Sequence, residues 1–256
     1  MKVVAVANQK GGVGKTSTCV NLAAALGKQG KKVLVLDMDP QGNTTSGLGI
    51  ERSTLKWSIY DVLLNSISIS RACLPTNWEN VTVVPTIIDL AAAEVELSSA
   101  ISRESRLRRS LEQETDYYCA LIDCPPSLGL LTLNSLVAAN SLLVPIQCEY
   151  YALEGLSQLM KTIDLVRSYL NSALELEGLL LTMFDSRTRL SKEVADEVRS
   201  RFGSKVYQTA IPRNVKISEA PSFGMPAIYY DPTSIGAVAY TSLAEEVIQK
   251  WEKQGH

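Results

Sequence analysis

Short apolar runs alternate along the chain with longer stretches in which apolar residues recur at helical spacing. The apolar runs predict strands at Val3–Ala7, Val33–Asp37, Val81–Val84, Cys119–Asp123, Leu142–Ile146, Leu179–Phe184 and Val206–Ile211. The helical patterns between them are clearest at Ser17–Lys28, Leu153–Tyr169, Ser191–Phe202 and Ile235–Trp251. This alternation is typical of an α/β protein with a mostly parallel, twisted sheet and helices on both faces. The segment 54–75 is less regular, and its topology stays open.

A glycine-rich loop follows the first predicted strand and precedes the first predicted helix. Its sequence is Asn8-Gln9-Lys10-Gly11-Gly12-Val13-Gly14-Lys15-Thr16-Ser17. Glycines allow consecutive backbone N–H groups to point at phosphate oxygens, and the helix start adds partial positive charge. In such a loop Lys15 reaches the β- and γ-phosphates, and the Thr16 hydroxyl is a ligand for Mg²⁺. The loop therefore predicts a nucleotide-binding P-loop fold.

The loop departs from the common P-loop pattern at position 9 and carries an additional lysine beside it. The pattern G-x-x-x-x-G-K-[ST] places glycine at position 9, where this chain has Gln9, and Lys10 adds a second lysine. Since Lys15 is sufficient to hold a triphosphate in its own subunit, Lys10 is free to reach a nucleotide across a dimer interface. The alternative is a solvated surface lysine beside an ordinary P-loop.

Three carboxylates follow predicted strands and are candidates for the chemistry. Asp37 and Asp123 each end an apolar run, and ligand sites in parallel sheets lie at these carboxyl ends. Asp123 is the candidate metal carboxylate, or alternatively a turn or helix cap. Asp37 and Asp39 lie on one side of an extended segment, where one supports the metal's water shell and the other orients the attacking water. The alternative is that both only shape the turn at Pro40.

Several spaced motifs together resemble one known family. The segment Lys10–Thr16 is similar to the deviant Walker A motif of the ParA/MinD group of ATPases. The segment Asp37-Met38-Asp39-Pro40-Gln41-Gly42-Asn43 resembles the second motif of the ParA/Soj branch. The likeness continues through Asp123-Cys124-Pro125-Pro126-Ser127 and Pro212-Arg213-Asn214, so it covers nearly the whole chain. The chain thus resembles a Soj-type ParA protein.

The resemblance implies roles for individual residues. Lys10 reaches the partner subunit's nucleotide in an ATP sandwich homodimer, and Asp39 positions the nucleophile. Pro212 packs on adenine, Asn214 hydrogen-bonds it, and Glu149 is a candidate contact to the partner's ribose. The expected catalytic residues are Lys10, Lys15 and Asp39, and the expected metal residues are Thr16 and Asp123. The expected residues for ATP are Lys10, Gly11, Gly12, Val13, Gly14, Lys15, Thr16, Ser17, Asp37, Glu149, Pro212 and Asn214.

Composition narrows the possible chemistry. The formal net charge is −2, so the protein as a whole is no general binder of polyanions. Five cysteines without a C-x-x-C pair indicate buried thiols in a reducing cytosol. We expect Cys119 and Cys124 to face opposite ways. The single histidine, His256, rules out Ser-His and Cys-His catalysis and H-E-x-x-H zinc sites.

No apolar run approaches the length of a membrane span, and the chain enters its first strand directly, so we expect a cytoplasmic protein. No repeat, low-complexity tract or linker divides residues 1–256, so we expect a single ATPase domain. Met1-Lys2-Val3 leaves no room for an N-terminal helix-turn-helix, and direct operator binding is not expected.

The segment between Arg187 and Lys216 carries a local excess of positive charge. It contains eight lysines and arginines against three carboxylates, and this excess favours contact with DNA phosphates without sequence readout. With the resemblance, the leading candidates for DNA contact are Arg187, Arg189, Arg213 and Lys216. Arg213 is also a candidate for the nucleotide loop or the dimer interface. The alternative is a solvated charged face.

The expected function is an ATP-dependent, dimerising ATPase that binds non-specific double-stranded DNA and partitions chromosome or plasmid DNA on the nucleoid. The family implies a ParB-like, centromere-bound partner and the cofactors ATP and Mg²⁺. One departure is Ile235, where Soj relatives often carry a basic residue. The main alternative is a MinD-like ATPase on a membrane, which requires a basic amphipathic C-terminal helix. A metabolic enzyme on the same scaffold and a binding module without turnover remain as further alternatives.

Overall fold

The computed structural model describes residues 1–149 and 155–255 in full and the backbone of residues 152–154. Within these residues one sheet contains seven strands in the order β3-β4-β2-β5-β1-β6-β7. Neighbouring strands are parallel, except that β3 runs antiparallel to β4. The strands are β1 Lys2–Val6, β2 Val33–Asp37, β3 Leu74–Pro75, β4 Val81–Val84, β5 Cys119–Asp123, β6 Ser141–Gln147 and β7 Glu175–Thr182.

Helices connect the strands and cover both faces of the sheet. They are α1 Lys15–Lys28, α2 Asn43–Gly47, α3 Ile59–Leu64, α4 Ile69–Ala72, α5 Leu90–Ser98, α6 Arg106–Leu111, α7 Leu130–Ala138, α8 Ala152–Tyr169, α9 Arg189–Phe202, α10 Val215–Glu219, α11 Ala227–Tyr230 and α12 Ile235–Lys253. Two of the long helices begin with a hydroxyl cap. The side chain of Thr188 accepts a hydrogen bond from Ser191 N at the start of α9, and the side chain of Ser234 accepts one from Ala237 N at the start of α12. Among the helices of the described residues, none combines the length and apolarity that a bilayer crossing requires.

Two apolar cores lie on opposite faces of the sheet. Along β1, Val3 and Ala5 join the core beneath α3–α9, whereas Val4 and Val6 join the core beneath α1, α11 and α12. This alternation follows from the pleat of a strand that is covered on both sides. The expected fold class is therefore confirmed. The thiols of Cys119 and Cys124 also face opposite cores, as predicted, and neither forms a disulfide.

The prediction of a strand at Val206–Ile211 is wrong. The segment runs beside β7 but makes only isolated bridges, Leu179 with Val206 and Phe184 with Pro212. The carboxylate of Glu246 on α12 accepts from the backbone N–H groups of residues 208 and 209 at 2.7 and 3.0 Å. These donors are thus used by a side chain, and a regular ladder with β7 does not form.

A buried ion cluster attaches the C-terminal part of α12 to the sheet near the starts of β1 and β7. Glu177 on β7 pairs with Lys2 and Lys250, each at 3.0 Å, and accepts from the Ser141 hydroxyl at 2.7 Å. Burial raises the pKa of Glu177, but the Ser141 bond and the two lysine charges outweigh it and lower the pKa to about 2. The ionised form is therefore favoured in the folded protein.

We predict that Glu177→Gln destabilises the protein in a pH-dependent way. Because the folded pKa lies below the unfolded value, the stabilisation is complete above about pH 4.5 and is lost as the pH falls towards 2. The loss in free energy of unfolding is roughly 3 kcal/mol at pH 7 and less than half of that at pH 3. Urea unfolding across this range measures it. The control is Glu175→Gln, an exposed residue on the same strand; equal effects of the two variants would contradict the assignment.

Candidate nucleotide-binding site

The glycine-rich loop between β1 and α1 is held open by contacts from neighbouring strands. Gly12 and Gly14 have φ values of +74° and +90°, which L side chains rarely adopt. Asn8 Nδ2 donates to Pro145 O at 2.7 Å, while Asn8 Oδ1 accepts from Lys10 N at 3.0 Å. Thr182 Oγ1 on β7 donates to the carbonyl of residue 13 at 2.8 Å. The loop is therefore shaped in advance as a cradle.

Lys15 closes this cradle from the first turn of α1. Its Nζ donates to the carbonyl of Lys10 at 3.2 Å, and its side chain is buried. Burial lowers the pKa of Lys15, an effect that nearby Asp123 and Asp39 oppose. A buried ammonium group with few anionic contacts is suited to receive a phosphate group.

Asp37 and Asp123 lie side by side at the carboxyl ends of β2 and β5. They are register partners on adjacent strands, and both are buried. Burial and mutual repulsion raise the pKa of Asp37 to about 7. Burial raises the pKa of Asp123 to about 6, with Asp39 adding to the shift. A cation at this edge of the sheet would relieve both effects.

Hydroxyl groups surround the Asp123 carboxylate, and their arrangement fits Mg²⁺. Thr16 Oγ1 and Thr44 Oγ1 donate to Asp123 Oδ2 at 2.8 and 2.7 Å. Asp123 Oδ1 is buried and has no hydrogen-bond partner among the described residues. Oxygen ligands are those that Mg²⁺ prefers, and it commonly takes only one or two from the protein. Within the described residues no cluster of three His, Cys, Asp or Glu side chains forms a complete metal site.

Asp39 occupies the loop that leaves β2, next to this edge. Its N–H donates to Asp37 Oδ1 at 3.2 Å, and its own Oδ1 accepts from Gln41 N at 3.0 Å. The guanidinium of Arg52 holds the outer side of the loop, donating to the carbonyls of Pro40 and Gln41 at 3.2 and 2.7 Å. Asp39 is half-buried.

Lys10 points out of its own loop and towards an acidic residue. Its Nζ lies 3.5 Å from Glu149 Oε2, and Arg213 Nη2 lies 3.6 Å from Glu149 Oε1. Gln147 Nε2 donates to the same carboxylate at 2.5 Å. Lys10 and Glu149 are both exposed, so this contact is weak and easily exchanged. The role of Glu149 at a partner's ribose stays a prediction.

A cavity of about 130 Å³ opens beside the P-loop. It lies between Gly14 and Ser17 on one side and Pro212 and Asn214 on the other. Asn214 Oδ1 accepts from Lys216 N at 2.9 Å, so the residue expected to contact a base also caps α10. The structure thus brings Pro212 and Asn214 next to the phosphate cradle, as their expected roles require.

The four candidates for DNA contact each have an acidic neighbour. Arg187 pairs with Asp185 and Arg189 with Glu193, at 2.8 and 2.6 Å. Lys216 pairs with Glu219 at 2.9 Å, and Arg213 pairs with Glu149 as described. Arg187 lowers the pKa of Asp185 to about 2, with a smaller contribution from Arg213. Arg213 lies close to this pair, since its N–H donates to the carbonyl of Phe184, the residue before Asp185, at 3.2 Å.

Sequence reasoning missed Thr44, Thr45 and Arg52. The two threonines directly follow the motif that ends at Asn43, and their hydroxyls bond to Asp123 and Asp37. A sequence signal was present in the polar Asn-Thr-Thr run after a strand-end carboxylate. The contact of Arg52 with the loop at Pro40 leaves no local sequence signal, since it depends on how the chain turns after α2.

Taken together, the fold and the site define a P-loop nucleotide-binding protein. A family model described as an AAA domain matches residues 1–176. The chain is 55% identical to the sporulation initiation inhibitor protein Soj of Bacillus subtilis strain 168, over 96% of this chain and 98% of the relative. It is 52% identical to the chromosome partitioning protein ParA of Myxococcus xanthus, over 97% of this chain and 88% of the relative. The chain belongs to this AAA-domain family and, within it, to the Soj/ParA group of chromosome-partitioning ATPases.

Solved structures agree with this placement. A crystal structure of cobyrinic acid a,c-diamide synthase from Mycobacterium smegmatis, with bound ADP and magnesium, has a TM-score of 0.86 and 41% identity, covering 100% of this chain and 97% of that one. The septum site-determining protein MinD from Pyrococcus horikoshii, complexed with Mg-ADP, has a TM-score of 0.78 and 26% identity, covering 96% and 95% of the two chains. The bound molecules in these neighbours agree with the expectation of ATP and Mg²⁺.

Proposed function

We propose that this chain, acting as a single ATPase domain, binds ATP with Mg²⁺, dimerises, and then binds double-stranded DNA without sequence readout. In this proposal hydrolysis releases the DNA, and the cycle partitions chromosome or plasmid DNA with a ParB-like partner. The observation that carries it is Lys10, a second P-loop lysine whose side chain leaves its own cradle for an exposed, weak contact with Glu149.

Within one subunit different residues bind the phosphates, the metal and the adenine of ATP and orient the attacking water. The loop amides and Lys15 hold the phosphates, and the hydroxyl of Thr16 and the carboxylate of Asp123 hold the metal. Bound Mg²⁺ neutralises charge that develops on the phosphate oxygens. Asp39 orients the attacking water, and alignment matters more here than the strength of the base. Pro212 and Asn214 receive the adenine in the cavity beside Gly14.

Across the dimer Lys10 supplies the positive charge. In the free subunit it is paired with Glu149, and Arg213 pairs with the same carboxylate. A partner's triphosphate carries more charge than one carboxylate and competes for Lys10. Lys10 then stabilises the charge of the transition state on that triphosphate. Dimerisation and hydrolysis are thereby coupled through one side chain.

DNA binding follows from joining two basic surfaces. Arg187 and Arg189 are strongly exposed, with side-chain accessibilities of 86% and 91%, and their ion pairs are of the weak surface kind. Phosphates of DNA can replace the carboxylates at little cost. Two such surfaces in one dimer bind far more tightly than one, because the second contact is intramolecular. The ATP requirement for DNA binding arises from this step.

The membrane alternative needs an exposed apolar face on α12, but among the described residues of this helix only Ile235 and Val238, near its start, are large apolar residues with exposed side chains, at 61% and 53%. In α12 one face is buried against α1, with Tyr240, Leu243, Val247 and Trp251 all inside the core. A helix that lies on lipid must instead leave its apolar face available. Nucleoid DNA is therefore the proposed surface for this ATPase.

We predict that Lys10→Ala abolishes ATP-dependent dimerisation and lowers ATP turnover by roughly 10²-fold or more, because the charge contributed across the interface is lost. Light scattering with ATP measures the dimer. Lys32→Ala, an exposed lysine ahead of β2, is the matched control and leaves both unchanged. A Lys10→Ala protein that still dimerises with ATP would contradict the proposed role of this lysine.

We predict that the wild-type protein binds double-stranded DNA with ATP but not with ADP. We expect Lys15→Ala to lose this DNA binding and Asp39→Ala to stay bound to DNA persistently. In the same salt titration Arg189→Ala weakens binding and lowers the salt slope by about 1. The control Arg108→Ala removes another exposed arginine with an acidic partner four residues later, Glu112, and has no effect. Absence of DNA binding by every form at low salt would contradict the partition mechanism.

A further inference from the structure

Two consecutive threonines in the first turn of α2 attach this helix to the buried carboxylates. Thr44 Oγ1 donates to Asp123 Oδ2 at 2.7 Å, and Thr45 Oγ1 donates to Asp37 Oδ2 at 2.6 Å. Both threonine side chains are fully buried. Hydrogen bonds to ionisable acceptors in such surroundings are stronger than bonds between neutral groups. The start of α2 is therefore fixed to the ends of β5 and β2.

The loop that carries Asp39 lies between β2 and this attachment. Asp39 N donates to Asp37 Oδ1, and only residues 40–43 separate Asp39 from Thr44. With both ends of so short a loop attached, the position of the Asp39 carboxylate depends on where Thr44 sits. A displacement of Thr44 moves the loop with it.

One oxygen atom connects this loop to the P-loop. Asp123 Oδ2 accepts from Thr44 Oγ1 and also from Thr16 Oγ1, the hydroxyl expected at the metal. Because Thr16 Oγ1 donates its hydrogen to this oxygen, its lone pairs stay available for a cation, whereas the bond of Thr44 serves to join α2 to the carboxylate. Thr44 and the hydroxyl expected at the metal are therefore linked through a single acceptor atom.

Thr45 has a different position in this arrangement. Its hydroxyl also accepts from Thr86 N at 3.0 Å, in the segment that leaves β4, and its own N–H donates to Asp37 at 2.8 Å. Thr45 is thus tied to the sheet at contacts that do not include Asp123. It anchors α2 in place, whereas Thr44 joins α2 to the carboxylate expected at the metal.

We propose that Thr44 is a positioning residue whose hydrogen bond to Asp123 couples occupation of the Mg²⁺ and phosphate site to the placement of the Asp39 loop. The inference rests on the proposed function, since it needs a nucleotide in the P-loop. It adds a residue whose hydroxyl affects hydrolysis without itself contacting the reacting atoms.

The test uses Thr44→Val, which keeps the shape and removes the hydroxyl, and Thr44→Ser, which restores it. Hydrogen exchange is followed with and without Mg²⁺ and a non-hydrolysable ATP analogue. In wild type, amides of residues 11–18 and of residues 39–46 gain protection. Thr44→Val keeps the gain at 11–18 and loses it at 39–46, and Thr44→Ser keeps both. In steady-state assays Thr44→Val lowers kcat roughly tenfold or more, with KM for ATP within about twofold.

The matched control is Thr132→Val, which removes another fully buried threonine hydroxyl, one that donates to Ser127 O at 2.6 Å from helix α7. It retains protection in both segments. Equal losses at 11–18 and 39–46 in Thr44→Val, or no loss in either, would overturn the role of Thr44, while the protection of 11–18 in wild type would still support ATP binding by the P-loop. Absence of protection at 11–18 in wild type would instead overturn nucleotide binding, and this inference with it.

Discussion

The buried pair of carboxylates at the ends of β2 and β5 is the constraint on which the rest of the site depends. Parallel register places Asp37 beside Asp123, and burial raises both pKa values. Hydrogen bonds from hydroxyl groups of α1 and α2 reduce the free-energy cost of ionising these buried carboxyl groups without removing it. The P-loop is brought to the same edge because β1 pairs with β5. Its Lys15 adds one positive charge. The negative charge that remains on the two carboxylates favours the binding of a metal ion.

Buried and exposed ion pairs have different roles in this molecule. The Glu177 cluster is enclosed and fixes α12 to the sheet at the edge opposite the site. The pairs of Lys10, Arg187 and Arg189 lie on the surface, where each contributes little to stability. Because these surface pairs are weak, their cations can exchange one acidic partner for a phosphate. The buried pairs thus stabilise the fold, and the weak surface pairs involve the cations to which the proposed function assigns phosphate contacts.

Six of the seven strands that the sequence predicts are present in the structure, because each is a mostly apolar run with most of its residues buried. Sequence reasoning failed at Val206–Ile211 because Glu246, distant in the chain, accepts from the N–H of Thr209, which lies between the two N–H groups that do bond to β7, those of Tyr207 and Ile211. It placed Lys15, Thr16 and Asp123 together because strand-end positions converge in a parallel sheet. It could not reveal Thr44 as a partner of Asp123, because that bond depends on the tertiary position of a five-residue helix.

Proton release on nucleotide binding tests the central claim most directly. Because burial and mutual repulsion raise both pKa values, the Asp37–Asp123 pair of the nucleotide-free protein favours retention of one proton at weakly acidic pH. Calorimetric titration of a non-hydrolysable ATP analogue with Mg²⁺, in buffers of different ionisation enthalpy, counts the protons exchanged. The account predicts release of roughly one proton by wild type and much less by Asp123→Asn. Equal proton exchange by the two proteins would contradict a site organised around this carboxylate pair.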